Sequence, residues 1–287
     1  MNSKTAVMLL LFTTLCTLLV AGEVKDPFEN AKYKIMFVEE AAKGKNYLLT
    51  SDVNGNNRKR LTPAFNNIVF PKYNEMSGWV AFTNRTQEMK SEVYILNSQR
   101  TKVKRLIQDM IFQDFSPDGK QMLLTSADAA SELYVYNILS KNTRRISQNH
   151  KVVSASYSNF GPWIAAAVIN SKQKVSVYRY STLAQGIFKI SKDDNLNDAY
   201  PSFMDEDNIL FFSNELSEKD TIVNSLILHS VKKDVRENLN FLGTNPSASP
   251  DGKFIAYENR GFIHVVSMDD YSRKVIGKGK HPTWIKN

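Results

Sequence analysis

The chain has 287 residues, a formal net charge of +8 and one cysteine. That residue, Cys16, lies in a segment that we expect to be removed, so the mature chain is predicted to have no disulfide, no thiolate nucleophile and no cysteine-ligated metal. A chain of this length buries a sufficient core without disulfide support, and a bacterial periplasm or cell surface fits this composition better than a eukaryotic extracellular space.

The first 22 residues have the pattern of a secretory signal peptide. Lys4 gives a short positive region, residues 6–20 are uncharged and largely apolar, and the small pair Ala21-Gly22 ends the segment. The apolar stretch is short for a membrane span, which needs ~20 residues. We therefore predict one exported domain over residues 23–287, periplasmic or secreted and not inserted in a membrane after cleavage. An anchor formed by an uncleaved signal is the alternative.

A six-residue pattern recurs along the rest of the chain. Phe115–Lys120 has the sequence Phe-Ser-Pro-Asp-Gly-Lys, Ala248–Lys253 has Ala-Ser-Pro-Asp-Gly-Lys, and degenerate copies begin at Pro71, Ser154 and Pro201. A period of about forty residues is typical of a repeat architecture. Proline presets φ at the first turn position and glycine accepts a positive φ, so the pattern predicts a tight hairpin in each repeat.

Each repeat has the periodicity of β-strands. Short apolar runs such as Trp79–Thr83 and Ile164–Val168 predict buried strands, and alternating segments such as Glu132–Tyr136 predict strands with one buried face. Four short antiparallel strands per repeat describe the blade of an all-β propeller. A basic and apolar segment closes each repeat, and six of these predict six blades. They are centred on Leu61, Leu106, Ile146, Ile190, Leu239 and Ile276.

The two ends of the repeat region are complementary. The first repeat begins at Tyr33 with its second strand, whereas His281–Ile285 resembles the first strand of a blade. We predict that this C-terminal strand completes blade one and closes the ring, which removes the last unpaired strand edge.

The positive charge raises nucleic acid or an anionic surface as a partner. It lies in small clusters such as Arg58–Arg60 and Lys102–Arg105, about one at the end of each repeat, and is therefore spread around the molecule. On the outermost strand of a blade, Lys and Arg protect an open edge from pairing with another chain. We predict this structural role and no nucleic-acid partner.

Polar residues at the innermost strands form the candidate binding site. Innermost strands line the central channel of a propeller, so we expect residues at matching positions to gather around one mouth. Solvated polar loop ends are the alternative interpretation. The candidates are Asp114, Asp198, Tyr200, Asn245 and His281.

No catalytic or metal-binding motif accompanies these candidates. None of the four histidines has a neighbour at metal-ligand spacing, and there is no Gly-x-Ser-x-Gly nucleophile elbow. Asp193–Asp198 is rich in the oxygen ligands that calcium prefers but lacks EF-hand spacing. We expect no cofactor, with calcium at this acidic loop as the alternative.

At Ser116–Lys120 and Ser249–Lys253 the chain resembles the TolB-type, WD40-like (PD40) propeller repeat family, over essentially the whole mature chain. The resemblance implies a monomeric, non-catalytic binding module that contacts another protein of the bacterial cell envelope, with a peptidoglycan-associated lipoprotein as one concrete partner. The N-terminal α/β domain of TolB has no expected counterpart, because about ten residues separate the predicted signal from the first strand. A lyase or hydrolase acting on saccharide or peptide at the channel mouth, and a sensor of a small ligand or cation, stay open as alternatives.

Overall fold

The computed structural model divides the chain into residues 1–31 and residues 32–287. Of the first unit it describes a short turn at residues 26–29 and residue 31, so the predicted signal peptide lies outside the described residues. Among the residues described, no helix is long and apolar enough to cross a bilayer. In the second unit the described ranges are 32–97, 99, 102–147, 150–183, 186–216 and 221–286.

The described part of the second unit is built from strands, with one turn of 3-10 helix at Ala42–Gly44. In chain order, the strands of the first three blades are β1 Tyr33–Glu40, β2 Asn46–Ser51, β3 Lys59–Arg60, β4 Ile68–Tyr73, β5 Val80–Arg85, β6 Ser91–Leu96, β7 Val103–Gln108, β8 Met110–Phe115, β9 Gln121–Ser126, β10 Leu133–Asn137 and β11 Thr143–Arg145. The remaining strands are β12 Val152–Tyr157, β13 Trp163–Ile169, β14 Val175–Ser181, β15 Ile187–Lys189, β16 Asn197–Phe203, β17 Asn208–Leu216, β18 Ile222–Ser230, β19 Val235–Leu242, β20 Thr244–Ala248, β21 Phe254–Asn259, β22 Phe262–Ser267, β23 Arg273–Lys278 and β24 Lys280–Lys286.

These strands form six antiparallel four-stranded sheets, each a blade with its innermost strand first. The orders are β24-β1-β2-β3, β4-β5-β6-β7, β8-β9-β10-β11, β12-β13-β14-β15, β16-β17-β18-β19 and β20-β21-β22-β23. The predicted six-bladed, all-β propeller is confirmed. In blades two to six hairpins join successive strands, so the loops after the first and third strands lie on the same side of the ring, which we call the turn side.

The core lies between the faces of neighbouring blades. Second strands are almost continuous apolar runs because both of their faces are covered, as in β13, where Ala165, Ala166 and Ala167 have no exposed surface. Side chains of adjacent blades pack together, for example Met36 of blade one and Phe82 of blade two in one cluster. The apolar surface thus holds each blade against the next around the ring.

Strand β24 closes the ring as predicted. It pairs with β1 in antiparallel register, with Tyr33 opposite Lys286 and Ile35 opposite Trp284. The Trp284 side chain is 4% exposed, and its Nε1 donates a hydrogen bond to the Ser247 carbonyl of blade six at 2.9 Å. The C-terminal strand therefore belongs to the sheet of blade one and also contacts blade six.

The repeated turn joins the innermost strand to the second, at Ser116–Lys120 in blade three and Ser249–Lys253 in blade six. Its glycines, Gly119 and Gly252, have φ of 68° and 69°, which is the left-handed region that favours glycine. In addition, Asn74 Nδ2 of blade two donates to the Ser116 carbonyl at 2.9 Å. The turn of blade three is therefore tied to the hairpin beside it.

The outermost strands carry the basic residues, as predicted. Arg105 of β7 pairs with Glu92 at 2.8 Å, and Arg145 of β11 pairs with Glu132 at 3.1 Å. Glu92 lies at the start of the third strand of its blade, and Glu132 directly precedes the third strand of its own. The positive side chains thus sit on open edges and are partly neutralised within their own blade, which suits protection of an edge.

Candidate functional site

The central channel is lined by the six innermost strands, and each of them has an irregular register against its neighbour in the blade. A bulge of this kind inserts an extra residue and re-aims its side chain. Four of the bulges combine a left-handed φ of 50° to 54° with a following proline. The residues are Phe70, Tyr200, Asn245 and His281.

Proline has no backbone N–H to donate. It is tolerated in these strands because an innermost strand is an edge of its sheet and pairs with no strand on its channel side. The four side chains lead into one space of about 40 Å³, which is also lined by Gln113 and Ala155 from the other two blades. We call this constriction the waist. It holds at most a few water molecules, since one water needs about 10–15 Å³.

Aromatic contacts fill the waist. The Phe70 ring lies 5.9 Å from that of Tyr200 and 5.6 Å from that of His281, measured between centroids. Burial lowers the pKa of His281 to about 4, and the charges of Lys280, Arg85 and Lys72 act in the same direction. The imidazole is therefore neutral at pH 7.

Three of the five predicted site residues come together in the waist: Tyr200, Asn245 and His281. Asp114 does not join them and lies on the turn side of the waist. Asp198 lies toward the other end of its strand, has no exposed surface, and its Oδ2 pairs with Arg236 at 3.1 Å. The expectation that all five converge at one mouth is therefore wrong for the two aspartates, and a binding role for any of the five stays a prediction.

On the turn side of the waist, the channel has a polar floor with one residue from each blade. Its members are Lys72, Asp114, Ser156, Ser202, Ser247 and Thr283. Several of these side chains join neighbouring innermost strands. Asp114 Oδ2 accepts a hydrogen bond from the Tyr157 N–H at 3.0 Å, and Ser202 Oγ accepts one from the Ala248 N–H at 3.2 Å. Burial raises the pKa of Asp114, and the charge of Lys72 opposes that rise.

Above the floor, the channel widens into a depression of about 370 Å³, which we call the funnel. Its wall combines aromatic residues such as Tyr73 and Phe115 with polar ones such as Asn74 and Asp114. At its rim, two large apolar side chains are exposed beside Glu75 and Asn159: Met76 at 78% and Phe160 at 37% exposure. Sequence reasoning missed this feature. A signal was present, because the residue that directly follows the floor residue on the innermost strand is aromatic in five blades: Tyr73, Phe115, Tyr157, Phe203 and Trp284. Three of these, Tyr73, Phe115 and Trp284, line the funnel.

The acidic side chains of the loop before β16 contact other groups of the same chain. Asp194 pairs with Lys189 at 2.6 Å, and Asp193 Oδ1 accepts a hydrogen bond from the Asn195 N–H at 2.8 Å. Within the described residues, no group of three His, Asp or Glu side chains is placed to hold a metal ion. Calcium binding at this loop stays the alternative to the expectation that the protein has no cofactor.

The six blades, the narrow waist and the funnel on its turn side define a β-propeller. The profile of the TolB beta propeller domain (PD40) matches residues 28–286, and the chain belongs to this family. It is thus a TolB-like propeller, a fold consistent with a protein-binding module. No curated protein sequence matches the chain.

Solved structures with the same fold have low sequence identity to this chain. TolB from Acinetobacter baumannii is 16% identical with a TM-score of 0.74, over 88% of this chain and 66% of that one. A candidate TolB from Agrobacterium tumefaciens is 17% identical with a TM-score of 0.56, over 73% and 81%. The propeller domain of the trilobed protease from Pyrococcus furiosus is 11% identical with a TM-score of 0.53, over 87% and 83%. The chain therefore spans about two thirds of the length of the Acinetobacter protein.

Proposed function

We propose that this chain is an exported, non-catalytic binding module of the bacterial cell envelope and that it binds a protein partner through the funnel. Membership of the TolB propeller family and the predicted signal peptide support the envelope location. A peptidoglycan-associated lipoprotein is the concrete partner that this family membership favours. The module acts as a monomer.

The observation that carries the proposal is the pair of exposed apolar side chains at the rim of the funnel. Met76 and Phe160 expose large side chains beside a depression of about 370 Å³ whose wall includes Tyr73, Phe115 and Trp284. Exposed apolar patches around a depression mark sites of protein contact, and aromatic residues and methionine are enriched in such interfaces. An anchoring side chain of the partner would be desolvated in this funnel, which is where binding energy concentrates.

The polar groups of the funnel support binding over hydrolysis or elimination. Both oxygens of Asp114 accept backbone hydrogen bonds, from the N–H groups of Tyr157 and Phe115. Glu75 is held by Lys286 at 2.5 Å. An enzyme needs several convergent groups that are free to act on the substrate. These two carboxylates are already engaged in contacts within the propeller.

The test is affinity capture from bacterial envelope extracts with the mature chain and with Met76→Asp. The substitution places a charge on the rim without changing a buried residue, so the fold should persist. We expect the wild-type chain to retain a specific protein and Met76→Asp to lose most of it.

The matched control is Met89→Asp. Met89 is 90% exposed and lies in the loop between β5 and β6, on the opposite side of the ring from the funnel. Capture that is equally strong with all three chains, or turnover of a glycan by the wild-type chain, would contradict the proposal.

A further inference from the structure

A second groove lies beside the funnel, between blades three and four. It has a volume of about 410 Å³. Pro117 lines both this groove and the funnel, and Tyr157 lines both the groove and the polar floor. The funnel and the inter-blade groove are therefore neighbouring depressions on the turn side of the ring, with Pro117 in the wall of both.

The walls of the inter-blade groove are mostly uncharged. Val135 and Ile146 of blade three and Pro162 of blade four give it apolar sides, and the Tyr157 hydroxyl donates to Gln121 Oε1 at 3.5 Å. Leu183, which is 83% exposed, follows the lining residue Thr182 in the chain. The groove is thus suited to a peptide chain that carries apolar side chains.

One cation, Arg144 of β11, stands out in the groove. It is exposed and makes no ion pair with any residue that the structure describes, whereas the adjacent Arg145 pairs with Glu132. The one carboxylate lining the groove, Asp118, is used by its own turn, since its Oδ1 accepts from Ser116 Oγ at 2.6 Å and from the Lys120 N–H at 3.0 Å. The guanidinium of Arg144 is left available to an incoming anion.

We propose that the inter-blade groove binds an extended acidic segment of the protein partner, whose carboxylate pairs with Arg144 while a neighbouring apolar side chain enters the funnel. This inference rests on the proposed function. An extended chain advances about 3.3 Å per residue and alternates its side chains, so it reaches both depressions without folding. A carboxylate is the fitting group because its two oxygens match the fork of the guanidinium.

The test is to select binding peptides from a phage-displayed random library against three chains: wild type, Arg144→Glu and Lys141→Glu. Lys141 is exposed in the same hairpin, so Lys141→Glu changes the net charge equally without altering the groove. We expect wild type and Lys141→Glu to enrich peptides with Asp or Glu next to an apolar residue. Arg144→Glu should bind these peptides about tenfold or more weakly and enrich Lys or Arg instead.

Two results would overturn the inference: no enrichment on the wild-type chain, or the same acidic enrichment on Arg144→Glu. Envelope capture separates this failure from a failure of the proposed function. If Arg144→Glu retains the captured protein as well as wild type while Met76→Asp loses it, the funnel binds the partner and the groove does not. If Met76→Asp also retains it, the proposed function itself is wrong.

Discussion

The rings of Phe70 and Tyr200 meet across the central channel with their centroids 5.9 Å apart. Phe70 belongs to blade two and Tyr200 to blade five, which stand opposite each other in a ring of six. Each ring is turned inward by a bulge in which a left-handed residue precedes proline. The channel is therefore too narrow at this level for a peptide, and a partner that enters the funnel stops at the waist.

Removing the Phe70 ring should destabilise the ring of blades. Phe70→Asn keeps a residue type that tolerates a left-handed φ but loses two aromatic contacts, each worth about 0.5–1.5 kcal/mol beyond the area buried. We expect the free energy of unfolding in urea to fall by about 1–3 kcal/mol. Met89→Asn is the control, because Met89 has φ of 61° and is 90% exposed. Equal stability of the two variants would contradict a packed waist.

His281 should make stability depend on pH in a defined direction. Its pKa is lowered from 6.5 to about 4 by burial. Between these values the unfolded chain binds more protons than the native chain, so the free energy of unfolding falls as pH falls. At one pKa unit per ~1.4 kcal/mol, the loss from this group is at most about 3 kcal/mol by pH 4.

The comparison is with His281→Asn. Asparagine is the residue that blade six has at the matching position, Asn245, with the same left-handed φ of 50°. Urea unfolding at pH 7 and at pH 4.5 measures the difference. We expect wild type to lose more stability than the variant over this interval. The other histidines are present in both chains, so their contributions to the pH dependence cancel in the comparison. An identical pH dependence would mean that His281 titrates normally.

The closing strand should contribute more to stability than a terminal segment usually does. Ile285 is 1% exposed and packs in the cluster between blades one and two. Ile285→Ala should cost about 2–5 kcal/mol, whereas Ile222→Ala, at a residue 68% exposed, should cost less than about 0.5 kcal/mol. A chain ending at Lys280 should lose more still or fail to fold. An unchanged melting temperature of that chain would show that closure by β24 is unimportant.

Two glycines with the same backbone angle provide a paired test of the repeated turn. Gly119 and Gly44 both have φ of 68°, but a Cβ on Gly119 would lie 2.5 Å from Asn74 Oδ1, and a Cβ on Gly44 would meet nothing within 4 Å. Gly44→Ala should therefore cost only the left-handed backbone strain of about 1–2 kcal/mol. Gly119→Ala should cost at least ~1 kcal/mol more, since the hairpin of blade two must move. Thermal unfolding of both variants would show whether the contact matters.

The architecture was predictable because each repeat independently shows the same pattern of strands and turns. Each closing segment carries an apolar residue near basic ones, and three of the six, Ile190, Leu239 and Ile276, are each 4–6% exposed. The closure of the ring followed from one unmatched strand at each end. Agreement between local turn chemistry, strand periodicity and ring closure left few alternative topologies.

The site was predictable only in part, because it depends on which way side chains point. In a regular strand Asp198 and Tyr200 would share a face, but the bulge at Tyr200 breaks the alternation and leaves Asp198 buried against Arg236. Phe70 was overlooked because it lies in a degenerate repeat. Phe70 precedes Pro71, just as Tyr200, Asn245 and His281 precede their prolines. A comparison of the residue before proline in every repeat would therefore have grouped these four residues. The funnel depends on spacing between blades, which no single repeat encodes.

The pairing of Tyr33 with Lys286 joins the two ends of the propeller and has a kinetic cost. Strand β1 has no inner partner until the most distant segment of the domain reaches it, so the contact order of the fold is high. Closing a loop over such a separation costs conformational entropy before the stabilising contacts form, and this slows folding. Until then the inner edge of β1 and the face of blade six that receives Trp284 stay open, and the unclosed ring is the state in which this protein is most exposed to aggregation.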